Sequence, residues 1–202
     1  MNPIRSVCVY CGSSPGRNDV YVKAGYTLGR AIAEAGLRLV YGGGTKGIMG
    51  AVAEGALRSG GNVLGIIPRF LINREASQNA LGDLSEVIIT ENMHERKHRM
   101  FEQSDAFVAL PGGIGTVEEI VEIMTWAQLG RHRKPMVFGN IEGFWNPMRA
   151  LIDHMRAEGF VHTAHLVRPI FVDRAEAIVE TILAAAADKA PSEGVEAVIE
   201  NM

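Results

Sequence analysis

One local pattern recurs along this chain and leaves few folds open. "SVCVY" runs through the turn "CGSSPG" into the helix-like "YVKAGYTLGRAIAEAG"; "LRLVY" runs through "GGGTKG" into "IMGAVAEGALRSGG"; "NVLGIIP" begins the cycle again. Further on, "EVIIT" and "AFVAL" flank the helical "NMHERKHRMFEQS", and "KPMVFG" and "PIFV" supply two more short apolar runs. Short continuous apolar runs bounded by turns read as strands buried on both faces, and strands alternating with helices demand right-handed crossovers. The expected fold class is therefore α/β: a doubly wound, mostly parallel sheet with helices on both faces, Rossmann-like, in a single domain.

The chain of 202 residues is long enough for one well-buried domain and short for two. We expect that domain to span 1–187, and 188–202 to form a mildly acidic, flexible tail, because the βα pattern decays after "AAAADKAPSEG". The segment "RFLINREASQNALGDL" is long for an α/β connection and reads as a flap or site-lining loop with a short helix. A net charge of −3 without a basic block argues against a nucleic-acid partner. No apolar stretch reaches about 18 residues and the N-terminus lacks the flanks of a signal peptide, so we expect a cytoplasmic protein with no membrane contact. Cys8 and Cys11 form a C-x-x-C, but positions three apart in a strand point to opposite faces, which favours burial over redox or metal chemistry.

Ligands of such sheets bind outside the carboxyl ends of the strands, where three glycine-rich turns fall. "GGGTKG" matches G-x-G-x-x-G between a strand and a helix, so Gly43, Gly44 and Thr45 could meet a phosphate with backbone N–H groups. It lies in the second βα unit and lacks the following acidic residue of a dinucleotide site, and Lys46 is misplaced for a Walker A loop. A second such turn, "PGGIGT", would present Gly112, Gly113, Ile114, Gly115 and Thr116 to an anion, with Thr116 as helix cap or hydroxyl donor. If Thr116 caps, Glu119 stands at N3 and could close a capping box. Ser13 offers a hydroxyl from the first turn. Glu118 and Glu119 differ by roughly 100° around the helix, so one of them is expected to face the cleft.

"MHERKHRMF" supports two incompatible functions. His94, Glu95 and His98 match the zinc-hydrolase pattern H-E-x-x-H, yet Arg96, Lys97 and Arg99 crowd it with positive charge that disfavours a divalent cation. In the other reading Met93, Lys97 and Met100 share a helix face with Arg96 at its edge, and Arg96 or Lys97 reaches the cleft. Arginine is suited to clamp an oxyanion or a base edge and stays protonated.

Taken together, "CVYCGSS", "LVYGGGTKGIMG", "MHERKHRM" and "LPGGIGTVEEIVEIMTWAQLG" resemble the LOG family of cytokinin riboside 5'-monophosphate phosphoribohydrolases, often mislabelled lysine decarboxylases, over roughly residues 5 to 185. The resemblance implies hydrolysis of the N-glycosidic bond of an adenine-type nucleoside 5'-monophosphate, giving free base and ribose 5-phosphate without metal or other cofactor. It places the catalytic pair on Arg96 and Glu119. Substrate contacts fall on Lys97 and Thr125, the phosphate loop on Gly112 to Thr116, and a base-side carboxylate on Glu75, where the loop is longer than in the plant enzymes. Thr45 stands where the family usually has serine, and His98 is outside the motif. The resemblance also implies a homodimer, to which Met124, Trp126 and Leu129 could contribute if they are not core. An AMP nucleosidase without preference for an N6 substituent, and a nucleotide carrier without chemistry, remain the competing functions. Nothing marks a pyridoxal phosphate lysine.

Overall fold

The computed structural model describes residues 4–75, 81–161 and 167–188. The apolar runs become strands β1 (Ser6–Tyr10), β2 (Arg38–Tyr41), β3 (Val63–Pro68), β4 (Glu86–Thr90), β5 (Ala106–Ala109), β6 (Met136–Gly139) and β7 (Ile170–Val172). They form one seven-stranded sheet in the order β4-β3-β2-β1-β5-β6-β7, and every neighbouring pair is parallel. The chain therefore builds outward from β1 in one direction, returns, and resumes beside β1 with β5. That reversal opens a crevice between the turns after β1 and β5.

Helices α1 (Asp19–Glu34), α2 (Gly47–Arg58) and α6 (Ile178–Ala187) pack on one face, where Val7, Val9 and Cys11 meet Leu28, Ile32, Val52 and Ile182. Helices α3 (Met93–Glu102), α4 (Ile114–Gln128) and α5 (Asn146–Ala157) cover the other, where Cys8, Tyr10 and Phe107 meet Met100, Ile120, Ile123 and Ile152. Each such aliphatic side chain contributes about 1.5–3 kcal/mol by leaving water. The two cysteines thus lie on opposite faces, buried and unbridged, and burial pushes both thiols well above their ordinary range. Asn18 starts α1 by accepting from the Val20 N–H at 3.1 Å. The α1–α2 contact is backbone against backbone: a methyl at Gly29 would stand 2.0 Å from the Val52 carbonyl oxygen.

The connection after β3 opens with a short 3-10 turn, Arg69–Leu71. Its residues 76–80 lie outside the described residues, as does the expected tail beyond Asp188. Among the described residues no helix is long and apolar enough to cross a membrane.

Candidate active site

The two principal glycine turns, similar in sequence, use their donors differently. At the start of α2 the N–H groups of Ile48 and Met49 donate to the Gly12 carbonyl at 3.1 and 3.2 Å. Thr45 donates through its backbone N–H and its hydroxyl to the Glu75 carbonyl, at 2.9 and 3.2 Å. The donors of Thr45 are thus spent within the chain, and the turn is tied to the turn after β1 and to the loop after β3.

At the start of α4 the first intrahelical bond runs from Val117 N–H to the Gly113 carbonyl at 3.1 Å. The N–H groups of Ile114, Gly115 and Thr116 find no acceptor among the described residues, and Gly113 at the N-cap has no side chain to offer one. Thr116 is therefore a buried N3 residue, not the cap, and Glu119 lies three positions beyond the place a capping box requires. The helix begins earlier because a cap needs only extended backbone, which Gly113 adopts at φ −92°, ψ −159°. Gly112 permits the tight turn: a Cβ there would stand 2.8 Å from the Gly12 nitrogen and closer still to the Thr116 hydroxyl.

Helix α3 is capped at Asn92, and its N3 glutamate reaches back one residue past the cap. The Asn92 side chain accepts from Glu95 N–H at 2.9 Å, and the Glu95 carboxylate accepts from Glu91 N–H at 2.9 Å. The glutamate of the H-E-x-x-H pattern is thereby committed to the helix start. His94 and His98 are exposed, with His98 Nε2 3.1 Å from Glu102, and among the described residues no three metal-ligating side chains converge.

Arg96 and Glu119 meet beneath these turns. Arg96 is 4% exposed and Glu119 8%, with Arg96 Nη2 3.9 Å from Glu119 Oε1. Among the described residues the guanidinium's other polar contacts are long: Nη2 to the Gly42 carbonyl at 3.5 Å and Nη1 to Met93 Sδ at 3.8 Å, while Nε is buried without a partner. A buried charge so loosely held is costly unless something else completes its bonds. Burial pushes the Glu119 carboxyl up from 4.5 to about 7; Arg96 opposes this, Glu118 and Glu75 add to it, and Lys97 opposes it. Glu75 is thus within electrostatic reach, and its Oε2 is also buried without a partner among the described residues.

The remaining expected residues scatter. Lys97 Nζ donates to Glu118 at 2.5 Å and to Glu122 at 3.2 Å; burial of the lysine would lower its pKa, and the two carboxylates outweigh that and raise it. Glu122 went unnoticed in the sequence, although it follows Glu118 by four residues, the spacing that brings helical side chains together. Ser13, Gly112 and Gly113 line a cleft of about 250 Å³ at the β1/β5 crevice, walled by Tyr21, Ile48 and Phe144. Neither Arg96 nor Glu119 is among the residues that line it. Gly43 has φ 75° and Gly44 lies against Met49 and Glu75. Ile114 turns its side chain to solvent, 85% exposed, leaving only its N–H for a ligand. Thr125 is not brought to the site: it is exposed, its hydroxyl donates to the Val121 carbonyl at 2.8 Å, and it lies about 16 Å along α4 from Ile114. Of the three residues considered for a subunit contact, Met124 is core, Trp126 packs edge-on to Phe101 at 4.7 Å, and Leu129 is 69% exposed.

Probable cytokinin riboside 5'-monophosphate phosphoribohydrolase LOGL9 of Oryza sativa subsp. japonica is 45% identical over 173 residues, covering 86% of this chain and 74% of that protein. The chain belongs to the LOG family. Cytokinin riboside 5'-monophosphate phosphoribohydrolase LOG of the same species is 46% identical over 78% of this chain and 64% of its own length, and LOG5 of Arabidopsis thaliana is 45% identical over 83% and 72%. The family model described as possible lysine decarboxylase matches residues 49–182. Solved structures share the LOG chain's fold at low identity. A molybdenum cofactor binding protein from Rippkaea orientalis superposes with a TM-score of 0.63 at 22% identity, covering 92% of this chain and 98% of that one. The Moco carrier protein of Chlamydomonas reinhardtii gives 0.66 at 19%, covering 92% and 99%.

Proposed function

We propose that this protein hydrolyses the N-glycosidic bond of adenine-type nucleoside 5'-monophosphates, N6-modified cytokinin nucleotides among them, to free base and ribose 5-phosphate. The observation that carries the reading is the buried Arg96–Glu119 pair set behind a helix start whose N–H groups are unclaimed. A 5'-phosphate accepts from Ile114, Gly115 and Thr116 N–H at the positive end of α4. Glu119 lies five residues beyond Ile114, and helical side chains lean toward the N-terminus, so its carboxylate falls about one turn, ~5 Å, from the phosphate. That is where the ribose belongs. The negative charges of phosphate and carboxylate therefore occupy successive places along one helix.

As the bond from the anomeric carbon to the base nitrogen breaks, its electron pair leaves with the base and positive charge develops on the sugar. Glu119 stabilises that charge and takes a proton from the attacking water, whose oxygen bonds to the anomeric carbon. Arg96, with Nε still to bond, holds the ribose or the charge gathering on the base. Glu75 Oε2, buried and unpartnered among the described residues, accepts a hydrogen bond from the base in this reading. Lys97 contacts substrate from the rim of the site; its two carboxylate partners keep it protonated, opposite to the state a Schiff-base lysine requires. The proton taken up by Glu119 passes through solvent to the departing base, which leaves neutral, so the step balances and calls for no metal or redox cofactor.

We also propose a homodimer built on the exposed face of α4, where Ile114, Val121 and Leu129 stand in line with Thr125. A second copy seated there would give Thr125 its neighbour. The test incubates purified protein with AMP, isopentenyladenosine monophosphate and the two nucleosides, measures free base, and reads the mass by light scattering. Monophosphates should be cleaved and nucleosides spared. No cleavage of either monophosphate would sink the enzymatic reading, and a monomeric mass the dimer.

A further inference from the structure

Gly42 ends the β2 turn's approach to the site, and nothing in its backbone demands glycine. It is absent from the positive-φ residues, unlike its neighbour Gly43 at φ 75°. Alanine would suit its conformation; what alanine would not suit is the space. A Cβ built at Gly42 would lie 1.9 Å from Arg96 Nη2, 3.1 Å from Cζ and 3.6 Å from Nε, so its three nearest atoms all belong to one guanidinium. The same Nη2 faces Glu119 Oε1 at 3.9 Å and donates to the Gly42 carbonyl at 3.5 Å.

We infer that Gly42 is a positioning residue: the space left by its missing side chain is the socket that seats the Arg96 guanidinium against Glu119. Other glycines in the fold press on backbone, as Gly29 does on the Val52 carbonyl at 2.0 Å and Gly47 on Ser13 at 2.6 Å, where a methyl would drive elements apart. At Gly42 the obstructed atom is the far end of a long side chain. A methyl there displaces Arg96 and leaves the sheet in place. Arg96 is enclosed where it stands, and among the described residues the polar contacts of its guanidinium are Met93 Sδ, the Gly42 carbonyl and Glu119. The "GGGTKG" turn thus serves the site by volume, while the donors of its Thr45 are spent on Glu75. The consequence for catalysis rests on the proposed roles of Arg96 and Glu119; the socket itself does not.

The test is a double-mutant cycle of wild type, Gly42→Ala, Arg96→Ala and the double variant, read by thermal unfolding, by carbon-detected titration of the Glu119 carboxyl, and by base release from AMP. Gly42→Ala should lower kcat about 10²-fold, the cost of a small misplacement of a reacting group, with KM for AMP changed by less than about 3-fold. The Glu119 midpoint should move above its wild-type value, because the cation that opposes its protonation has been displaced. In the Arg96→Ala background the same substitution should change neither the melting temperature nor the Glu119 midpoint. If Gly42→Ala fails to fold and the double variant folds, the steric coupling is likewise established. An equal effect in both backgrounds, or a Glu119 midpoint that stays or falls in Gly42→Ala, overturns the socket. Wild-type protein that cleaves no monophosphate but shows the coupled unfolding and titration would discard the proposed reaction and keep the positioning.

Discussion

Helices α3 and α4 face each other through two ion pairs made from sequence neighbours, and the pairs have opposite character. Lys97 and Glu118 meet at 2.5 Å near the surface, joined by Glu122, with the Glu118 side chain 52% exposed. Arg96 and Glu119, one residue along on each helix, are buried and stand 3.9 Å apart with donors to spare. A tight pair in water is satisfied and does little else. A loose pair out of water holds charge that a substrate can complete, and its carboxyl is poised near neutrality because desolvation outweighs its cation. Rotating by one residue thus separates a clasp between helices from a pair fit for chemistry.

Exchanging the roles of the two glutamates is the strongest way to break that contrast. Glu119→Gln keeps shape and removes the charge that the proposed mechanism needs, so kcat should fall on the order of 10³-fold, within the usual range for a general base. Glu118→Gln should stay within about 5-fold, because Glu122 still holds Lys97. Steady-state kinetics with AMP on both variants decides it. Equal losses, or a Glu119→Gln protein as fast as wild type, would remove the distinction.

A second consequence appears in stability against pH. Glu119 has a folded-state pKa of about 7 against an ordinary 4.5, so between those values the folded protein keeps a proton that the unfolded chain has released. The folded state binds more protons, and stability falls as pH rises through that window, by ~3 kcal/mol at most. Glu119→Gln has no such penalty. Relative to wild type it should gain roughly 6 to 10 °C in melting temperature between pH 4 and pH 8. A relative loss over the same interval would mean that Arg96, not burial, dominates the site. In turnover the sign reverses, since a base must be ionised: kcat/KM should rise as pH passes through about 7.

The contrast between the pairs was only half legible in the sequence. All seven strands could be read from short apolar runs between turns, and the parallel order follows from their alternation with helices. The helix starts were harder. "TVEE" imitates a capping box, but Gly113 takes the cap by backbone conformation alone and moves the start of α4 three residues toward the N-terminus. "HERKH" imitates a zinc helix, but Asn92 caps the Glu95 N–H there and the Glu95 carboxylate is taken by the Glu91 N–H. Composition gives no sign that Arg96 is buried while Lys97 is near the surface, because both are cations on one helix. The vacancy at Gly42 that admits the guanidinium comes from a strand far away in the chain. Such facts belong to tertiary packing, and local patterns do not encode them.

The smallest effect lies on the outer pair, where it sharpens the comparison from the other side. Glu118 is more than half exposed, so its bond to Lys97, although short, competes with water and loses side-chain entropy. Removing the charge by Glu118→Gln should cost less than about 1 kcal/mol in urea unfolding, and 0.5 M salt should shrink even that difference. The buried pair should be far less sensitive to salt, because ions do not reach it. The Glu119 midpoint measures that directly: Glu118 is one of the groups holding it up, so Glu118→Gln should lower it slightly at low ionic strength and less at high. If salt moved the wild-type midpoint as much as the mutation does, Glu119 would be open to solvent, and the division between clasp and reactive pair would fail.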